Sequence, residues 1–180
     1  MSVVLRETRE TRVSVSISAN GDARIGTTNA FLDHMLTAFA RYAGLGLVLD
    51  ATGDLRHHLI EDVAITLGLA LRDFIPPTCQ RYGDRFIVMD DALVQVALDA
   101  GGRAYYKGPL PSQLYDHFMR SLADNAAIAL HVRVIRGTDR HHVVEAAMKA
   151  LGLALRSALG PGSAVFSTKG SVSITRDEAQ

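Results

Sequence analysis

His57-His58-x-x-Glu61 and His141-His142-x-x-Glu145 are two places in this chain where metal-ligating residue types stand at helical spacing. On a helix successive residues turn by about 100°, so a histidine and a glutamate four apart share a face and can grip one ion. The second histidine of each pair points elsewhere, which suits two ions better than one. Imidazoles with a single carboxylate favour Mn, Fe, Co, Ni or Zn over Ca or Mg. A lone His-His pair is ordinarily a surface or core feature. Here both blocks belong to a longer internal repeat. Residues 32–72 and 115–156 align with one gap, and both copies end in Leu-Gly-Leu-Ala-Leu-Arg. Six of the seven histidines fall at matched positions: His34 with His117, His57 with His141, and His58 with His142. Glu61 matches Glu145. A repeat that keeps ligand types, and not only apolar ones, points to chemistry. The unmatched His131 aligns with Val48 and is expected to be structural or to support a ligand from behind. Asp33 and Asp116 directly precede matched histidines. They are either carboxylates behind those ligands or helix-start charges.

The elements that must position these residues follow from periodicity. Val13, Val15 and Ile17 alternate with serines as in a half-buried strand. Asn20-Gly21-Asp22 then signals a turn, and a second strand over Ala23–Thr27 would complete a hairpin. Phe31, Leu32, Met35, Leu36, Phe39 and Ala40 recur at helical spacing, with Asn29 to cap that helix and Gly44 to end it. Leu45–Ala51 reads as a strand. A helix from His57 or Glu61 runs to Phe74 and stops at Pro76-Pro77. Strands near Arg85–Met89 and Leu93–Asp99 fit between the breakers of the middle segment. The second copy repeats helix (Leu114–Asn125), strand (Ala129–Ile135), turn (Gly137-Thr138) and helix (His142–Leu159), and a last strand is expected over Ser171–Thr175. The expected class is α+β: one domain over residues 1–180, made of halves of about 1–82 and 83–180. The helices of both halves should pack together between two outer sheets.

The bulk properties narrow the function. With 180 residues, 48% hydrophobic and 21% charged, the chain can bury a real core. Zero formal net charge excludes the broad basic field of a nucleic-acid binder. It leaves room for a local Arg/Lys cluster that holds a small anion. The single cysteine, Cys79, permits no internal disulfide and reads as an ordinary buried thiol. The start MSVVLRETRETR has charges where a signal peptide needs apolar residues, and charges interrupt every apolar run short of a membrane span. A cytoplasmic, non-membrane protein is expected.

With these pieces assembled, the chain resembles the imidazoleglycerol-phosphate dehydratase family of histidine biosynthesis. The matching motifs are Arg6-Glu7-Thr8-Arg9-Glu10-Thr11, Phe31-Leu32-Asp33-His34-Met35-Leu36, Gly53-Asp54 with His57-His58-x-x-Glu61-Asp62, and Gly101-Gly102-Arg103. They continue through Asp116-His117-Phe118, Leu130-His131-Val132, His141-His142-x-x-Glu145 and Ser167-Thr168-Lys169-Gly170. They span nearly the whole chain. The resemblance implies two manganese ions per active site, formed where subunits meet. One ion would take His57, Glu61, His117 and His142; the other would take His34, His58, His141 and Glu145. It implies a homo-oligomer of trimers assembled into a 24-subunit shell. The substrate would be a phosphorylated imidazole, dehydrated to imidazole acetol phosphate. Glu10 becomes a substrate-contacting acid/base, beside the metal-held Glu61 and Glu145. Arg85, Arg103, Ser167, Thr168 and Lys169 become the substrate and phosphate contacts. Arg85 rests on matching Arg85-Phe86 to an Arg-Phe-Gly segment, with Ile87 in place of the glycine. The chain departs from the family pattern in short stretches before His57 and between Arg85 and Arg103, in Tyr42 where histidine is usual, and in Leu59 where threonine is usual. Two other readings of the same residues are a dimetal hydrolase or lyase for another phosphorylated molecule, and a non-catalytic shell glued by metal.

Overall fold

The computed structural model describes residues 3–162, so Ser167, Thr168, Lys169 and the strand expected at Ser171–Thr175 lie outside the described residues. The first half runs β1 (Val3–Glu7), β2 (Thr11–Ser18), β3 (Ala23–Gly26), α1 (Ala30–Ala43), β4 (Gly46–Gly53) and α2 (Arg56–Phe74). The second runs β5 (Tyr82–Met89), β6 (Ala92–Asp99), β7 (Tyr105–Lys107), α3 (Gln113–Ala126), β8 (Ala129–Arg136) and α4 (Arg140–Ala158). Each half contributes one four-stranded sheet, ordered β1-β2-β4-β3 and β5-β6-β8-β7. The repeat seen in the helices therefore extends to the strands. α1 and α2 cover the first sheet and α4 the second, while α1 meets α4 and α2 meets α3 across the middle. The architecture is α+β, with the helices sandwiched between the sheets and one continuous apolar core running through both halves.

The local structure rests on visible chemistry. On β2, Val13, Val15 and Ile17 are buried against the helices and the intervening residues are not. Asn29 caps α1 by accepting from Leu32 N–H at 3.1 Å. Gly44 ends that helix in the left-handed region at φ 70°, where glycine carries no Cβ penalty. Asp33 and Asp116 turn out to fasten the chain entering each helix. Asp33 accepts from Thr27 N–H at 2.8 Å, and Asp116 accepts from Leu110 N–H at 2.8 Å and from the Tyr106 hydroxyl at 2.6 Å. Each carboxylate reaches back six residues to a backbone amide, so they buttress helix starts rather than backing the histidines. His131 is exposed on β8 with its ring beside Tyr105, and among the described residues it joins no group able to hold an ion. Cys79 is only half-buried.

One expectation fails. Ala23–Gly26 does not form a hairpin with the strand before it but pairs parallel with β4. β2 has no free edge to offer, because β1 pairs with one side and β4 with the other. The segment Asn20-Gly21-Asp22 instead carries the chain over the start of β4. A Cβ on Gly46 would collide with the Ser18 hydroxyl and lie 2.8 Å from Asn20 O, so the crossing needs that glycine. The true hairpin is β1–β2, a strand missed in the sequence, joined at Thr8–Glu10. There the Thr8 hydroxyl accepts from Glu10 N–H at 3.1 Å and Thr11 N–H at 3.0 Å. β7 was likewise missed, and pairs parallel with β8.

The glycines of the repeated Leu-Gly-Leu-Ala-Leu-Arg tails set how closely the halves approach. A Cβ on Gly68 of α2 would lie 2.8 Å from Leu122 O of α3. A Cβ on Gly152 of α4 would lie 2.7 Å from Phe39 O of α1. These are backbone contacts, which yield only by moving a helix. Gly68→Ala and Gly152→Ala should each destabilise the protein by roughly 1–3 kcal/mol, although alanine is the better helix former by about 1 kcal/mol. Urea or thermal denaturation at fixed protein concentration checks this; a raised midpoint would contradict the close crossing.

Candidate metal centre

The crossing helices bring ligand types from opposite halves together. In the first turns of α2, His57 Nε2 stands 3.5 Å from Glu61 Oε2, the i,i+4 pair expected. His117 arrives from α3 with Nε2 3.1 Å from Glu61 Oε1, and its ring stacks on His57 at 5.6 Å. In the first turns of α4, His141 Nε2 stands 3.1 Å from Glu145 Oε2. His34 arrives from α1 with Nε2 3.3 Å from the same oxygen, its ring stacked on His141 at 6.0 Å. In each trio the ligand atoms lie within 4.8 Å of one another. Two matched clusters of two imidazoles and one carboxylate result, each drawing on both halves of the chain.

The fit to a metal ion shows in what the side chains leave unsatisfied. Among the described residues His117 Nε2 is sealed from solvent and makes no hydrogen bond, although Glu61 Oε1 stands 3.1 Å away. A buried, unpartnered ring nitrogen aimed at a carboxylate and a second imidazole has the lone-pair geometry that an ion satisfies. Three donors per cluster fall short of the four or more that such ions take.

The remaining two matched histidines do not join these clusters within one chain. His58 lies with Asp54 and Glu10, its Nδ1 at 3.0 Å and 3.4 Å from their carboxylates, a third group able to hold an ion. His142 lies with Asp91 and Asp90 at 2.8 Å and 3.3 Å. Hydrogen bonding to Asp54 pushes His58 up from its ordinary pKa, and Asp91 does the same to His142. The sets of four implied by the resemblance are thus present as three plus one, with the fourth histidine held by carboxylates of its own half. Glu10 sits on the β1–β2 turn against His58.

The clusters differ in one charge. Glu145 is buried, 5% exposed, and Lys149 donates to it at 2.8 Å from one turn further along α4. Burial alone would push this carboxyl up, but Lys149 and His34 outweigh it and leave it below its ordinary range. The first copy has Ile65 at that place. Lys149 was missed because the repeat alignment draws attention to matches, and the signal was a mismatch.

Arg85 is exposed on β5 and, among the described residues, donates only to its neighbour's carbonyl, Asp84 O. The Arg-aromatic-Gly pattern sought there stands in full four residues earlier, at Arg81-Tyr82-Gly83. Gly83 is obligatory, because a Cβ would collide with the backbone of Ala154. Arg81 occupies the left-handed region at φ 77°, a strain of about 1–2 kcal/mol for a non-glycine residue. It forms a bidentate pair with Asp99 at 2.5 Å and 2.8 Å and holds that carboxyl down. Arg81 also lines a cavity of about 410 Å³ with Arg72, Gly101 and Gly102. Arg103 follows on the next loop, near enough to Asp99 to lower it further. Arg81, not Arg85, is the arginine brought beside Gly101-Gly102-Arg103.

Three comparisons bear on this arrangement. The family model described as imidazoleglycerol-phosphate dehydratase matches residues 27–155. The imidazoleglycerol-phosphate dehydratase of Pyrobaculum aerophilum is 44% identical, covering 92% of this chain and 97% of its own. That of Pyrococcus furiosus is 42% identical over 92% of this chain and 98% of its own. A crystal structure of the P. furiosus protein in complex with (S)-C348 superposes with a TM-score of 0.85 at 41% identity, covering 93% of this chain and 99% of that one. The Staphylococcus aureus structure gives 0.79 at 33% identity, covering 89% and 99%.

Metal binding should be tight near neutrality and weaken in acid, where protons compete with the ion for the imidazole nitrogens. Titration of metal-free protein with Mn²⁺ should give two ions per chain at pH 7.5, with affinity at least about tenfold lower at pH 5.5. His117→Ala and His34→Ala should each remove one. A stoichiometry unaltered by either substitution would contradict the clusters.

Proposed function

The chain belongs to the imidazoleglycerol-phosphate dehydratase family, and on that premise we propose that it dehydrates imidazole glycerol phosphate in histidine biosynthesis at two manganese ions. The observation that carries this reading is the pair of matched His-His-Glu clusters, each assembled from both halves and one with a sealed, unpartnered ring nitrogen. The reaction must remove a proton from carbon with no carbonyl beside it, so the imidazole ring has to accept the electrons. Bound metal supplies the Lewis acidity that stabilises the ring as it takes up that charge.

The chain's own residues do the rest. His57, Glu61 and His117 hold one ion, and His34, His141 and Glu145 the other. His58 and His142, which lie outside both clusters, complete the ligand sets of neighbouring copies. Glu10 beside His58 is the candidate proton carrier. Arg81 and Arg103 bind the phosphate, where guanidinium geometry suits a monoester, and Ser167, Thr168 and Lys169 join them. Lys149 adds a cation at one cluster only, which distinguishes the two ends of an asymmetric substrate. Assembly into trimers and a larger shell is supported by the outer face of β5. There Phe86 and Val88 are 54% and 71% exposed, an apolar stripe of the kind that marks interfaces. Among the described residues no helix is long and apolar enough to cross a membrane, and we place the enzyme in the cytoplasm.

The test is turnover of imidazole glycerol phosphate with added Mn²⁺, abolished by chelation and restored by metal. Glu61→Gln and Glu145→Gln should each lower kcat/KM by about 10²–10³ or more, and Cys79→Ala should not. Arg81→Ala should raise KM by roughly 10–100-fold, the worth of a charged hydrogen bond, with Arg85→Ala near neutral. Metal-bound protein without turnover would favour another substrate, and a metal-free active enzyme would sink the proposal.

A further inference from the structure

All four histidines in the two clusters turn Nε2 to a cluster glutamate. The other two, His58 and His142, have Nδ1 engaged instead. In both, that nitrogen faces a carboxylate that is itself tied down. Asp91 sits on the β5–β6 turn, 51 residues from His142 in sequence, with Oδ1 2.8 Å from Nδ1. Its other oxygen accepts from Thr138 N–H at 2.6 Å, the Thr138 hydroxyl at 3.0 Å and Asp139 N–H at 3.2 Å. Three donors on one oxygen fix the carboxylate in rotation and keep it ionised. An ionised carboxylate only accepts, so Nδ1 of His142 must be the nitrogen that carries hydrogen. In a neutral ring the lone pair then stands on Nε2. Asp54 does the equivalent for His58 at 3.0 Å, while also accepting from Leu55 N–H at 2.6 Å. The repeat thus reaches one outcome by two routes, a carboxylate four residues away in the first half and a distant hairpin turn in the second.

We infer that Asp91 and Asp54 are positioning residues that fix the Nδ1–H tautomer of His142 and His58 and so leave Nε2 as a metal-binding lone pair. This rests on the reading above that these two histidines serve as ligands. Asp90, 3.3 Å from His142 Nε2 and 69% exposed, stands on the Nε2 side and yields that place to an ion.

Asp91→Asn separates tautomer from scaffold. The amide oxygen still accepts from Thr138 and Asp139, while its NH₂ turned to His142 donates and drives the proton onto Nε2. Solid-state NMR of sedimented, metal-free, [¹⁵N]histidine-labelled protein reads this directly. The wild type should show His142 protonated on Nδ1, and Asp91→Asn should show Nε2. Competition with a chelator should show one of the two ions bound about 10–100-fold more weakly in Asp91→Asn, with Asp91→Glu close to wild type. Asp54→Asn should act in the same way on His58. Thr138→Val, which loosens the turn without touching the ring, should leave tautomer and affinity alone. A wild-type tautomer in Asp91→Asn, or an equal loss of affinity in Thr138→Val, overturns the inference. If the tautomer switches but wild-type protein binds no metal, the positioning role stands and the metal reading fails.

Discussion

Helix backbones from the two halves touch, at Gly68 against Leu122 and at Gly152 against Phe39, and the rest of the molecule depends on that contact. Two turns before each glycine stands a cluster glutamate. The facing helix has its histidine a similar distance before the point of contact, so α2 with α3, and α4 with α1, run in the same sense. Their first turns therefore lie at a common end, and an i,i+4 His/Glu pair from one half meets a histidine from the other. A single methyl at the crossing would separate the ligands as well as the helices. The sheets outside serve this geometry by covering the remaining apolar faces, which neither half could bury alone.

Duplication gives near-equivalence, and the chemistry needs the residue left over. Lys149 against Ile65, and the Asp91 tether against Asp54, are places where the copies differ beside matched ligands. Glu10 and the Asp90-Asp91 pair occupy corresponding hairpin turns, and both reach the second histidine of their half. On the proposed function, such differences would orient an asymmetric substrate held between the two clusters, since matched ligands offer it no preference.

Much of this was legible in the residues, for physical reasons. Ligand types repeated at matched positions carry their own control, so the eight His and Glu positions could be singled out from spacing. Asn29 and Gly44 acted as helix punctuation because their side-chain chemistry is local. Sheet partners are not local. Asn20-Gly21-Asp22 announces a turn but not which strand lies beyond it, and the parallel pairing of β3 depends on β4, twenty residues later. β1 hid because Val3 and Leu5 are exposed and Arg6-Glu7 follow them, without the buried alternation that betrays β2. Arg81 hid four residues before Arg85, and its glycine's necessity is visible only where Gly83 meets Ala154. His58 and His142 could be counted in sequence, but no spacing rule reveals that Asp91 waits 51 residues away for one of them.

The central claim is that each chain builds two His-His-Glu clusters and lends His58 and His142 to its neighbours. Anomalous diffraction at the manganese edge from metal-loaded crystals tests it most directly. The account predicts two peaks per chain, one at His57, Glu61 and His117 and one at His34, His141 and Glu145. A neighbouring copy's His142 and His58 should complete them at about 2.0–2.3 Å. A single peak at the Glu10, Asp54 and His58 group, or clusters closed without any residue from a neighbour, would contradict it.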